Sequence, residues 1–408
     1  MNRNKVVQGC FASLVGVVAL SSSVTYALED SQISSLRQVQ GGGQGDHWTD
    51  KIQLGGHAAA GLIRTGAQID DYRRKNFIVH EVNTTWSVNP NERTNFSLEI
   101  YPIGFQPATS NSGTIHYVGE AYTQFKNVLT WGETGGLSIK LGRFDYPYGE
   151  DYMRQDAVDN PMITKNASWL WGWDEGIMLN SKWGDYGLTF AITDGAAARG
   201  TDDKGNKAWT AKLWGSPAKN LNLSASAHVM TDTINQEMWQ GYQRFSKCTL
   251  PNIAACAAAT NTAQSPQSFV HGSMVEVGGN YRLGGFLFNG NWGRINLAGQ
   301  APKLGRQLTY YAVEPLYNFG SKWYVVGRYS TIGTGSDTAG VSLSDALNSG
   351  STQNLKSLSR AAVAVGHRLN PATTLKAEIA SDEMQNIQGV SKVGNGRLNL
   401  GFQAAIRF

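Results

Sequence analysis

The chain has 408 residues, 41% of them hydrophobic, a mean hydropathy of −0.31 and a formal net charge of +4. That near-neutral balance gives no reason to expect nucleic acid or another polyanion as a partner. Beyond residue 27 there is no apolar run of about 18 residues, which excludes a helical membrane protein despite 12 Trp, 16 Tyr and 14 Phe.

Arg3 and Lys5 precede an apolar run over 6–20, followed by small polar residues and then Thr25-Tyr26-Ala27. These are the three parts of a secretory signal peptide, so residues 1–27 are expected to be removed and the mature chain to begin at Leu28. Cys10 is not a lipidation site, because the apolar run follows it instead of preceding it. Loss of Arg3 and Lys5 leaves a net charge of +2. Residues 28–50, with GGGQG at 41–45, show neither a helical nor a strand period and read as a flexible leader. A small plug is the alternative reading of that leader.

From 51 to 408 one pattern repeats: about ten residues alternating with period 2, then a tight turn or a longer polar loop. Strands are expected at 51–64, 77–88, 93–101, 114–125, 137–144, 168–183, 186–193, 208–214, 221–230, 273–282, 285–295, 307–318, 323–332, 358–369, 374–381 and 397–408. Short turns fall at 89–92, 184–185, 217–220, 283–284, 319–322 and 370–373, with a looser one at 130–136, and each joins an even-numbered strand to the next odd one. The other connections are long and polar. Such alternation is what a barrel with both termini on one side of a membrane requires, whereas a soluble sandwich has no reason to keep it. The fold class is therefore all-β, a transmembrane antiparallel barrel of about 16 strands facing lipid.

Strand parity assigns the charges. The inward parity carries Glu81, Glu99, Glu120, Asp174, Glu276, Glu314 and Glu378, with Lys140, Lys182, Lys212, Arg282, Arg328, Arg360, Arg368, Lys376, Arg397 and Arg407. On the lipid face a charge costs about 2–4 kcal/mol at the midplane, so this placement supports the barrel. Arg143, Glu175 and Arg294 break the parity and require bulges or strand ends. Bases concentrate in the later strands and acids in the earlier ones, giving the lumen walls of opposite sign.

The last stretch, RLNLGFQAAIRF at 397–408, places Leu398, Leu400, Phe402, Ala404, Ile406 and Phe408 on one face. It resembles the C-terminal strand of Gram-negative outer-membrane barrels. That resemblance implies that Phe402 and Phe408 belong to a signal read by the barrel-assembly machinery. LGRFDYPYG (141–149), DNPMI (159–163) and WGWDEGIML (171–179), with EAYTQF (120–125) upstream, resemble the strand, constriction loop and strand of Gram-negative porins. The resemblance, which extends to substrate-selective porins, implies an outer-membrane, trimeric, 16-stranded porin that passes ions and small hydrophilic solutes by diffusion. It also implies that the third long loop, 145–167, folds inward. That loop carries Asp145, Glu150, Asp151, Asp156 and Asp159 against Arg154 and Lys165, and it would face a basic wall of Lys140, Lys182, Lys212, Arg282, Arg328, Arg360 and Arg368.

In an exported chain Cys248 and Cys256, close together in the longest polar connection, are expected to form one loop-closing disulfide. The seven His are scattered without a metal-ligand motif, so neither a metal nor a cofactor is expected. No Ser/His/Asp spacing marks an enzyme. The rival readings are a transporter for a hydrophobic substrate, an outer-membrane hydrolase and a scaffold barrel.

Overall fold

A strand with one apolar and one polar face needs oil on one side and water or polar groups on the other, and a run of such strands meets both needs by closing into a cylinder. The computed structural model describes residues 51–64, 76–103, 117–150, 156–168, 172–194, 207–230, 245–249, 269–299, 306–335, 339–341, 355–386 and 397–408. Signal and leader, 1–50, lie outside the described residues, as do Asp151, Arg154 and Cys256.

The strands are β1 (Ile52–Arg64), β2 (Asn76–Asn91), β3 (Thr94–Ile103), β4 (Tyr117–Trp131), β5 (Gly135–Asp145), β6 (Trp173–Trp183), β7 (Tyr186–Thr193), β8 (Ala208–Ala218) and β9 (Leu221–Met230). They continue as β10 (Phe245–Thr249), β11 (Phe269–Leu283), β12 (Phe286–Gly299), β13 (Arg306–Phe319), β14 (Trp323–Thr334), β15 (Ala339–Val341), β16 (Leu355–Asn370), β17 (Thr373–Asn386) and β18 (Arg397–Arg407). Neighbours pair antiparallel, and β1 pairs with both β2 and β18, so the sheet is closed. Sixteen strands form the wall, which runs directly from β9 to β11 and from β14 to β16. The other two, β10 and β15, lie in long connections and pair with each other. They are the two strands the sequence pattern does not mark, being too short for an alternating run. Among the described residues no helix is long and apolar enough to cross a membrane; the crossing is by strands.

Closure rests on the last strand. His57 lies opposite Arg407, and Gly56 and Phe408 exchange both main-chain hydrogen bonds at 2.9 and 3.0 Å. Phe402, Ile406 and Phe408 are exposed on the outer face, as the parity requires, together with Leu54, Ile177, Leu213, Val277, Val313 and Ile379 from strands all round the wall. Trp86, Trp183, Tyr281, Trp323 and Phe408 stand exposed beside the short turns, the position an interfacial aromatic girdle takes. Trp214, also near a short turn, does not join them. It shares the parity of buried Thr210 and Lys212 and borders a cavity with Asn180 and Lys182, so its ring points inward.

The parity breaks have local causes. The β1–β2 register shifts between Ala59 and Ala60, and this bulge turns both His80 and Glu81 to the buried side although they are consecutive. Arg143 and Glu175 lie directly opposite each other near the loop-side ends of β5 and β6 and form an ion pair of 2.8 Å, which cancels the charge on that face. Arg294 stays exposed on the parity of Trp292, in the loop-side half of β12, where its long stem lets the guanidinium reach toward the interface.

Candidate functional site

Of the connection from β5 to β6, the described residues 146–150 and 156–168 lie inside the barrel. The connection begins with Tyr146-Pro147-Tyr148-Gly149, and each of these steps meets the wall. Tyr146 donates to Asp174 at 2.8 Å, and its burial, with Asp174 beside it, pushes the phenol well above its ordinary range, so it remains a donor. The Tyr148 and Tyr310 hydroxyls are 3.0 Å apart, and Tyr310 donates onward to Glu276 at 2.7 Å. Gly149 has φ +70, and a Cβ there would stand 2.7 Å from the Glu276 carboxylate, so only glycine allows this approach. Its N–H donates to Ser226 Oγ at 2.9 Å, the Glu150 N–H donates to Glu276 at 2.8 Å, and Lys212 holds both the Gly149 carbonyl (2.7 Å) and Glu150 (3.0 Å). This first limb is thus bound to β8, β9, β11 and β13.

The second limb, 156–168, crosses to the other wall. Arg407 pairs with Asp159 at 2.7 Å, and Lys376 donates to the carbonyls of Ala157 and Asn160. Glu378 accepts from the N–H groups of Ile163 (2.5 Å) and Thr164 (3.1 Å) and from Thr164 Oγ1 (2.5 Å). Arg328 joins Glu314 (2.7 Å) to the Thr164 carbonyl and Asn160 Oδ1, both at 2.8 Å. Fully buried Arg360 forks onto Asp382 at 2.6 and 2.8 Å and reaches the Lys165 carbonyl at 3.1 Å. Ala167 donates to Ser330 Oγ at 2.9 Å.

Packing adds to these polar bonds. Met162 is fully buried among Leu316, Tyr324, Val326, Ala362, Ala364 and Ala380, and Ala157 packs on Ala59 and Ala405. The small inward residues of β16, β17 and β18 make the bed in which the loop lies. Burial of a methionine of this kind contributes about 1.5–3 kcal/mol.

The expected basic wall divides into two groups. Lys212, Arg328 and Arg360 are buried beneath the loop and matched by Glu150, Glu314 and Asp382. Lys140, Lys182, Arg282 and Arg368 are not buried. Lys140 lies 3.7 Å from Glu120 and 3.8 Å over the Tyr122 ring, and Arg368 shares the Asn318 amide oxygen and lies over Tyr324. Of the loop acids, Asp145 is the last residue of β5 and buried; Glu150 and Asp159 are each paired with a wall cation; Asp156 is buried near His57. Asp151 lies outside the described residues.

Strand parity alone does not single out Asn160, Thr164, Asp382 or His57. Asp382 shares the parity of Lys376 and Glu378 and would follow from running β17 one residue past 381. His57 is on the inward parity of β1 with Gln53. Asn160 and Thr164 carry no periodic signal, since their roles depend on where an irregular loop lies.

No protein-family model matches the sequence, and no curated protein matches it. Solved structures do. OmpT, an outer membrane protein of Vibrio cholerae, superposes with a TM-score of 0.56 at 11% identity over 88% of this chain and 97% of that one. An anion-selective porin from Comamonas acidovorans gives 0.54 at 10% identity over 88% and 99%, and Salmonella typhi OmpF in complex with daunomycin 0.52 at 10% over 88% and 97%.

The chain has the fold of the Gram-negative outer-membrane porins. It is a transmembrane barrel of the bacterial outer-membrane type, and at the level of fold it is porin-like. In this porin-type barrel the described part of the inward loop lies between two sets of wall strands.

Proposed function

We propose that this protein is a porin, giving ions and small hydrophilic solutes a passive, water-filled path across the outer membrane. The observation that carries the reading is the loop between β5 and β6, bound inside the barrel to opposite walls through Lys212, Arg328, Arg360, Lys376, Glu378 and Arg407. A wall of sixteen strands encloses more space than its own side chains fill, and a loop fastened there narrows the passage to a defined size. The reading assigns no catalysis. A transporter for apolar substrates would need an apolar lumen, whereas Lys212, Glu276, Glu314, Arg328, Lys376 and Glu378 stand on the inward face of this one.

Selectivity, on this reading, depends on which charges water in the lumen meets. Glu150 and Asp159 are neutralised in place by Lys212 and Arg407, and Arg328 and Arg360 by Glu314 and Asp382. Lys182, Arg282 and Arg368, each within three residues of a short turn, add positive charge to the turn end and favour anions. Residues 1–27 serve as the export signal and 28–50 as a leader, and the barrel-assembly machinery reads Phe402 and Phe408. Cys248 and Cys256 close a loop by a disulfide, and three copies assemble as a trimer. Planar-bilayer recording tests the function: discrete, ohmic conductance steps with a reversal potential on the anion side are expected. Absence of conductance from correctly folded barrels would reject it.

A further inference from the structure

Three side chains from separate parts of the chain meet where the inward loop passes β1 and β2. His57 Nε2 lies 3.1 Å from Glu81 Oε1 and 3.8 Å from Asp156 Oδ1, and one ligand atom of each residue lies within 4.8 Å of the other two. All three are buried, with side-chain exposures of 7, 1 and 11%. The Ala157 N–H donates to Glu81 Oε1. Among the described residues neither His57 Nε2 nor Glu81 Oε2 has a well-aligned hydrogen-bond partner, although both are buried.

Such a group is costly as it stands. Two acceptor-only carboxylates face one imidazole, and Glu99 adds its field from β3 while accepting hydrogen bonds from Asn83 and Tyr101. Lys165 and Lys376 act on Glu81 through space, but Lys376 points its ammonium at main-chain carbonyls of the loop. A proton on Nε2 would supply one charge and one donor, to one oxygen. A divalent cation would take the nitrogen lone pair and both carboxylates together.

The spacing suits the second remedy. Ligand atoms about 2.0–2.1 Å from a tetrahedral ion stand roughly 3.3 Å apart, and the observed 3.1 and 3.8 Å bracket that value. We propose that His57, Glu81 and Asp156 bind a divalent transition-metal ion of the zinc type, water completing the coordination, and that this ion fastens the inward loop to the β1–β2 wall. One nitrogen and two carboxylate ligands suit such an ion better than calcium or magnesium, which take oxygen. No motif places these ligands near one another along the chain. The pairing of β1 with β2, which sets His57 and Glu81 on one inward face, and the fold of the loop bring them together.

The test uses the full mature chain, untagged, folded in detergent and stripped with EDTA. Calorimetric titration with Zn²⁺ is expected to show one saturable site per chain, and Co²⁺ to give a visible absorption band that Zn²⁺ displaces. His57→Gln and Asp156→Asn should each weaken Zn²⁺ binding by at least about tenfold, while heat-modifiable mobility confirms folding. If His57→Gln does not fold, Asp156→Asn, on the loop, decides alone. No saturable binding to wild type, or affinity unchanged in the folded variants, would overturn the proposal. Conductance is not the readout, so either result leaves the channel reading to its own test.

Discussion

Glu378→Gln is the sharpest probe of how the inward loop is held. The carboxylate receives three donors, the Ile163 and Thr164 N–H groups and the Thr164 hydroxyl, at 2.5 to 3.1 Å in a buried setting. The amide keeps one acceptor oxygen and turns an NH₂ toward at least one of those donors. Each hydrogen bond to a charged acceptor is worth about 1.5–3 kcal/mol, and a buried donor left unsatisfied costs about 1–3 kcal/mol. Because Arg328, Arg360 and Lys376 still hold the same segment, the loss at this point is about 3 kcal/mol rather than the sum. At about 1.4 kcal/mol per decade, the population with residues 162–165 released rises roughly 100-fold. Single-channel recordings should show this as more frequent excursions to other conductance levels. Thr164→Val removes only the hydroxyl, about 1.5 kcal/mol, and should raise them roughly tenfold. A folded Glu378→Gln barrel whose current is as quiet as wild type would refute the latch.

Asp382→Asn strands the buried Arg360 guanidinium and Arg360→Met strands the equally buried Asp382 carboxylate, so each should lower barrel stability by about 3–5 kcal/mol, whereas the double change, which leaves neither charge, should cost less than the two losses added; urea unfolding in lipid vesicles ranks them. A double variant whose loss equals the sum of the two single losses would contradict the buried pair. Deleting Phe408 removes both main-chain bonds to Gly56 and an exposed apolar ring, and should reduce the folded fraction seen as heat-modifiable mobility. The triple change Lys182→Gln, Arg282→Gln, Arg368→Gln should move the reversal potential toward cations. Changing Glu150, Asp156 and Asp159 to their amides should move it toward anions, by unmasking Lys212 and Arg407. Both shifts should shrink between 0.1 and 1 M salt, where the Debye length falls from about 10 to 3 Å. An unchanged reversal potential in the basic triple variant at low salt would place those residues outside the path.

The period-2 alternation determined the sixteen wall strands, because each segment from 51 to 408 must hide one face in lipid and the charge cost there is large enough to set the register. The sense of the turns, the outward Phe402 and Phe408, and the inward Arg328, Arg360 and Glu378 were legible for the same reason. Parity is a local property. It could not reveal the bulge that turns both His80 and Glu81 inward, since a bulge is one extra residue fitted to a neighbouring strand. Nor could it distinguish Arg360, sealed against Asp382 and bonded to the Lys165 carbonyl of the loop, from Lys182, which stays exposed on the same kind of face. What separates them is the path of an irregular loop across the lumen, fixed by partners more than 200 residues away along the chain, such as Glu378 for Thr164. The sequence listed the charges and their faces; the tertiary structure decided which are matched in the latch and which are left to face water.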